Sequence, residues 1–136
     1  MKERRSLVIG ANGQIGTDLV NALSKDSSIE YVLAGDITEP VNSVSASQNF
    51  ERIDVLDVDH LRRVIESHNI SEVYLLAALL SANAEKNPLL AWDLNMKGLL
   101  NVLNLAKDGI INKVFWPSSI AVFGPSTPAI NTPQHT

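Results

Sequence analysis

The sequence has no cysteine, which excludes a disulfide framework and a thiolate metal site. It has no basic run, and its formal net charge is −4. A nucleic-acid backbone is normally met by clustered lysine and arginine, so nucleic acid is not an expected partner. The charged start MKERR leads directly into a short strand-like run, without a signal-peptide or membrane-spanning apolar segment; no membrane association is expected, and the cytoplasm is the expected compartment. The three histidines, His60, His68 and His135, are scattered. The first two lie on or beside an exposed helix pattern, where a solvated imidazole is the usual state, so zinc chemistry is disfavoured. No internal repeat is present.

What remains is a soluble globular composition of 136 residues, 45% apolar, enough for one domain with a real core. Short β-rich runs occur at residues 6–10, 31–36, 72–77 and 113–117, with a weaker one at 49–53; helical periodicity occupies 14–24, 58–67 and 88–107. Strands apolar on both faces that alternate with helices call for parallel βαβ units. Right-handed crossovers then predict an α/β, Rossmann-like doubly wound sheet in the order 3-2-1-4-5, formed by residues 1–136 as one domain. Residues 39–48 are polar and read as a surface loop.

The helix predicted from Pro88 to Lys107 is the most informative. Asn87 stands at its N-cap with Pro88 at the first helical position, and Gly109 follows as the stop. At about 100° per residue, Asp93, Lys97, Asn101, Asn104 and Asp108 share one polar stripe, leaving an apolar arc of about 240°. Ala91, Asn95, Gly98, Val102 and Ala106 form a strip suited to the sheet; Trp92, Met96, Leu99 and Leu103 face elsewhere, toward a further part of the chain or a second subunit. A homodimer through this helix is therefore expected. Asn95 lies opposite the polar stripe, where its amide either ties down a neighbouring loop or stands beside a ligand.

The stretch LVIGANGQIGTDLV places Gly10, Gly13 and Gly16 at intervals of three across a predicted strand-to-helix turn. In that setting Gly10 permits a tight turn, Gly13 lets backbone approach a diphosphate, and Gly16 allows the helix to pack closely on the strand; helix-start N–H groups then face the phosphates. Twenty residues beyond Gly16, Asp36 closes the second strand. Its carboxylate can accept from ribose hydroxyls and would repel a 2′-phosphate, which predicts NAD over NADP. Asp54, with Val55 beside it, is a candidate for the adenine amino group; Asp57 is the better cap for the following helix.

GANGQIG, Asp36, the Asp54-Val55 pair, AALLSA, NMKG and SSIAVFG together resemble the extended short-chain dehydrogenase/reductase family, that of the NAD-dependent epimerases and dehydratases. Within it, the segments from HNISEV to GLLNVL and KVFWPSSIAVFGPSTP are most similar to the short-chain type of L-threonine 3-dehydrogenase. The resemblance implies that Gly10, Gly13, Gln14, Ile15 and Gly16 hold the diphosphate of NAD, Asp36 and Ile37 the adenosine ribose, and Asp54 and Val55 the adenine. Ala77, Ala78, Leu79, Asn95 and Ser118 would attend the nicotinamide half. Ser119 matches the catalytic Ser or Thr, and Ser81 would lie at the pocket mouth beside the substrate's polar head.

The family's general base is a Tyr-x-x-x-Lys tyrosine, and neither tyrosine here qualifies: Tyr31 is followed four residues on by Gly35 and Tyr74 by Ala78. The resemblance therefore implies the N-terminal part of such an enzyme, truncated after strand five, without its C-terminal substrate lobe. Three readings stay open. They are oxidation of L-threonine to 2-amino-3-oxobutyrate by the parent enzyme, the chemistry of a nucleotide-sugar epimerase or dehydratase, and a non-catalytic NAD-binding module.

Overall fold

The computed structural model describes residues 3–40, 49–79, 81–119, 123, 124, 126–128, 130 and 132. Strands β1 (Arg4–Ile9), β2 (Ile29–Asp36), β3 (Asn49–Arg52), β4 (Glu72–Leu75) and β5 (Lys113–Phe115) form one parallel sheet in the order β3-β2-β1-β4-β5. Leu7 pairs with Leu33 on one side and Val73 on the other. The order reverses between β1 and β4. That is where an open α/β sheet leaves a crevice at its carboxyl ends.

The strands are apolar on both faces because both are covered. Leu7 and Ile9 of β1 point to the side of helices α2 (Val58–Ser67) and α5 (Gly98–Lys107), with Leu33, Val73, Leu61, Ile65, Val102 and Leu105. Val8 and Ala34 point the other way, onto Val20 and Leu23 of α1 (Gln14–Leu23). Among the described residues the first cluster holds fourteen buried apolar side chains and the second five. Most of the burial that stabilises the fold therefore lies on the α2 and α5 face.

Local signals set the helix ends. Asp57 caps α2 by accepting the His60 N–H at 3.0 Å. Gly109 adopts φ +75° after α5, the left-handed stop that glycine takes at least cost. The helix read from Pro88 to Lys107 is interrupted: α4 (Pro88–Trp92) passes through a π-turn segment, Asp93–Lys97, in which the Gly98 N–H reaches the Asp93 carbonyl, before α5 begins. One wide turn shifts the phase of everything before it. Asn87 stands at the N-cap position but makes no side-chain cap bond. A short helix α3 (Ser81–Lys86), absent from the periodicity reading, precedes it.

The apolar arc is also divided differently from the expectation. Leu99, expected on the outer side, packs against the core. Leu89, Leu90, Trp92, Leu100 and Leu103 are the exposed set, Leu89 at 82% and Trp92 at 63%. The sheet's outer edge is also apolar, with Phe115 and Trp116 exposed at β5.

The histidines are not simply solvated as expected. His68 Nδ1 lies 3.0 Å from the Tyr31 hydroxyl, and its Nε2 lies 3.0 Å from a Glu51 oxygen. His60 stands 3.7 Å from the other Glu51 oxygen. No group of metal-ligating side chains occurs among the described residues, and none of their helices is long and apolar enough to cross a membrane. His135 and most of the expected 39–48 loop lie outside the described residues.

Candidate functional site

The turn after β1 is built around a backbone that no side chain could accompany. Gly10 has φ +91°, and a Cβ there would stand 2.7 Å from the Ala77 nitrogen. The Gly10 and Ala11 N–H groups both donate to the Gly35 carbonyl, at 2.9 and 3.1 Å, which fixes the turn against β2. A Cβ on Gly16 would fall 2.1 Å from the Gly10 carbonyl oxygen. The close neighbour of Gly16 is thus the turn itself, a tighter constraint than the expected helix-on-strand packing.

Gly13 is the N-cap of α1, and it brings no side-chain acceptor to the first-turn N–H groups. That turn also carries no acidic residue. The positive end of the helix is left for an external anion, with Gln14 and Ile15 exposed beside it. These features fit the diphosphate of a dinucleotide.

A cavity of about 290 Å³ opens at the carboxyl ends of the strands. Its lining includes Gly10, Gly13, Asp36, Ile37, Asp54, Val55, Ala77 and Ala78, eight of the residues expected at a cofactor site. Ile9, Ile53, Leu76 and Leu94 complete it and were not singled out from the sequence. The volume is at the small end for a ligand pocket, roughly 300–1,000 Å³, and suits one portion of a dinucleotide. A larger cavity, about 480 Å³, lies at the opposite end of the sheet beside Arg5, Asn69 and Ser71. There Arg5 is already committed to Glu30 at 2.6 Å and to the His68 carbonyl at 2.8 Å. Ligands of parallel sheets bind at the carboxyl ends, so position decides between the two cavities, not size.

Asp36 ends β2 with its carboxylate held by protein donors. Oδ2 accepts the Asn12 N–H at 3.0 Å; Oδ1 accepts the Thr38 N–H and the Thr38 hydroxyl, each at 3.1 Å. The Asn12 side chain donates to the Thr38 carbonyl at 2.5 Å. Sequence reasoning missed both partners, although Asp-x-Thr is a pattern in which the carboxylate bonds backbone two residues on. Asp54 accepts the Leu56 N–H at 2.9 Å at the cavity rim, and Val55 is buried beneath it.

Two asparagines of the long helical region hold the walls of this cleft. Asn95, inside the π-turn segment, accepts the Leu79 N–H at 2.9 Å and donates to the Leu79 carbonyl at 3.2 Å. Its amide ties down the loop that follows β4, in which the cleft's Ala77 and Ala78 lie. Asn101, expected on the solvated stripe, donates to the Val55 carbonyl at 2.9 Å and so anchors the segment after β3. π-Turns of this kind often mark functional sites, because they re-aim one side chain without ending the helix.

The remaining candidates are less closely gathered. Ser118 and Ser119 are exposed beyond β5 and do not line the cavity. Ser81 opens α3, and its side chain lies outside the described residues.

With this geometry in place, comparison with known proteins is specific. The model of the NAD dependent epimerase/dehydratase family matches residues 6–136. An uncharacterized epimerase/dehydratase of Staphylococcus saprophyticus is 48% identical over 135 residues, covering 98% of this chain and 42% of that protein. Among solved structures, a GalE-like L-threonine dehydrogenase from Cupriavidus necator, in its holo form, superposes with a TM-score of 0.86 at 48% identity, over 96% of this chain and 42% of that one. A monomeric L-threonine 3-dehydrogenase from a metagenome, in its apo form, superposes with a TM-score of 0.83 at 47% identity, over 95% and 41%. The chain thus spans about two fifths of the length of these relatives. By the family model and by the glycine turn, Asp36 and the sheet order that carry it, this chain belongs to the NAD dependent epimerase/dehydratase family.

Proposed function

We propose that this chain forms the NAD-binding half of an oxidoreductase that converts L-threonine to 2-amino-3-oxobutyrate. The observation that carries the NAD part is the meeting, in one cleft, of an uncapped glycine-led helix start with the Asp36 carboxylate. Gly10, Gly13 and Gly16 keep side chains away from the diphosphate while the N–H groups of Gln14 and Ile15 face it. Asp36 and Ile37 take the adenosine ribose, Asp54 and Val55 flank the adenine, and Ala77, Ala78 and Leu79 line the nicotinamide half, with Asn95 fixing Leu79 and Ser118 beside it. NAD, when bound, supplies a hydride acceptor.

Ser119 holds the threonine β-hydroxyl in place as the hydrogen on the same carbon leaves, a positioning role worth much of a barrier when the geometry is right. Ser81 contacts the polar head of the substrate. Neither tyrosine serves as base: the Tyr74 hydroxyl donates to Glu72 and Tyr31 pairs with His68, both away from the cleft. The chain's described residues therefore bind and orient, and neither tyrosine among them is placed to accept the proton.

Threonine as substrate is supported by solved L-threonine dehydrogenases at nearly half identity. The family name favours a second reading, a nucleotide-sugar epimerase or dehydratase. For the chain by itself, the lack of a Tyr-x-x-x-Lys motif favours a third, a non-catalytic module whose association state follows NAD. The decisive assay gives the full-length parent NAD with L-threonine or with UDP-glucose. NADH formed with threonine alone is expected; turnover of UDP-glucose alone overturns the threonine reading, and NAD-dependent oligomer size without any turnover supports the module.

The same proposal includes a partner, a second copy of the chain packed on Leu89, Leu90, Trp92, Leu100 and Leu103. Light scattering should find a dimer at micromolar concentration, and a monodisperse monomer overturns it. The compartment proposed is the cytoplasm, in keeping with the absence of cysteine.

A further inference from the structure

We infer that Thr38 and Asn12 are positioning residues that set the preference for NAD over NADP by locking the Asp36 carboxylate; the inference rests on the NAD reading above. A carboxylate offers about four acceptor directions. Three are occupied from within the protein: the Asn12 N–H on Oδ2, and the Thr38 N–H and hydroxyl on Oδ1. The Asn12 side chain closes the ring by donating to the Thr38 carbonyl, so the glycine turn and the end of β2 are tied together through the carboxylate and around it. Asp36 lines the cavity, whereas Asn12 and Thr38 stand outside its lining. They act on a ligand through Asp36.

The arrangement has a consequence for selectivity. An acidic side chain at a half-exposed strand end is otherwise free to turn away from an arriving 2′-phosphate, which would leave little discrimination. Held by three donors it cannot rotate without breaking charge-assisted bonds, so the phosphate meets a fixed negative charge and the ribose hydroxyl meets a fixed acceptor. Arg52, paired with Asp36 across the β2–β3 register, forms no ion pair with it; its Nε donates to the Ile37 carbonyl at 3.1 Å.

The test is calorimetric titration of this chain with NAD and with NADP, for wild type, Thr38→Val, Thr38→Ser, Asp36→Ala and the Asp36→Ala/Thr38→Val double variant. Thr38→Val removes only the hydroxyl donor from an exposed position. It should weaken NAD by about fivefold, the scale of one ordinary hydrogen bond, since the effect reaches the ligand only through Asp36, and leave NADP unweakened. The selectivity ratio then falls, Thr38→Ser restores it, and Thr38→Val has no further effect once Asp36 is gone. Equal weakening of both dinucleotides, or an unchanged ratio, overturns the inference while the NAD reading stands. A wild-type chain that binds neither dinucleotide overturns the NAD reading and this inference with it.

Discussion

The two ends of the sheet solve opposite problems. At the amino ends, long side chains close on one another: buried Glu72 accepts from Ser6 at 2.7 Å and from Arg4 at 3.1 and 3.3 Å, and Arg5 lies 4.4 Å over the Tyr31 ring while bonding Glu30. At the carboxyl ends, side chains are withheld. Glycines keep side chains out of the turn, a helix start is left uncapped, and the Asp36 carboxylate is held in place beside a cavity. The first end satisfies its polar groups internally and adds stability; the second keeps polar groups for a ligand, and its order rests on backbone geometry. Perturbing the carboxyl end should therefore change binding and folding together, whereas perturbing the amino end should change folding alone.

The largest effect belongs to Gly16→Ala. Its methyl would meet the Gly10 carbonyl, a backbone atom inside a turn bonded to Gly35 of β2, with no flexible side chain to yield. A loss of about 3 kcal/mol or more in urea unfolding is expected, together with loss of the rise in melting temperature that NAD should give wild type. Wild-type stability in this variant would show that the turn is pliant and that the two ends do not differ in kind.

Glu72→Gln is next and sharpens the contrast from the other side. Burial alone would raise the Glu72 carboxyl, but the bonds from Ser6 and Arg4 and the charges of Arg4 and Lys113 hold it below its ordinary value of 4.5. A depressed carboxylate contributes stability that is fully present above that ordinary value and is lost as the pH falls through the lower folded value. Urea midpoints followed from about pH 7 to about pH 3 should show the variant roughly 2 kcal/mol less stable at neutral pH and the gap closing in acid. Its affinity for NAD at neutral pH should match wild type.

The carboxyl end was the more legible of the two in the sequence. Gly10, Gly13, Gly16 and Asp36 announce themselves through spacing, because a turn and a strand end are local events, and the strand order follows from alternation and handedness. The amino-end network was not legible: nothing near Glu72 in sequence indicates Ser6 or Arg4, more than sixty residues away. Asn12 on Thr38, Asn101 on Val55, and the Glu51 pairing of His68 were hidden for the same reason, each being a contact between distant segments, whereas Thr38 on Asp36 is local and carried a signal in Asp-x-Thr. The π-turn was hidden differently. An extra residue per turn leaves the composition of the helix unchanged and shifts the phase of Pro88–Trp92 against α5, which a single 100° periodicity cannot register.

Asn95→Ala tests that turn. Two hydrogen bonds to the Leu79 backbone would be lost, costing about 1–2 kcal/mol and speeding amide exchange at Leu79 relative to β4. Unchanged exchange at Leu79 would show that the loop after β4 holds its place without the asparagine, and that the π-turn serves something else.

The smallest expected effect separates packing from polarity at the amino end. Tyr31→Phe keeps the ring stacked on His68, at 5.7 Å between centroids and 15° between planes, and keeps Arg5 over its face. It deletes only the hydroxyl bonded to His68 Nδ1. If ring contacts carry the cluster, the cost is about 0.5 kcal/mol, and Tyr31→Leu, which removes the aromatic face from Arg5 as well, costs clearly more. A loss for Tyr31→Phe as large as that for Tyr31→Leu would place the stabilisation in the Tyr31, His68 and Glu51 hydrogen bonds. The amino end would then depend on connected polar groups, as Asp36 does at the carboxyl end, and the ends would differ only in whether a ligand completes the network.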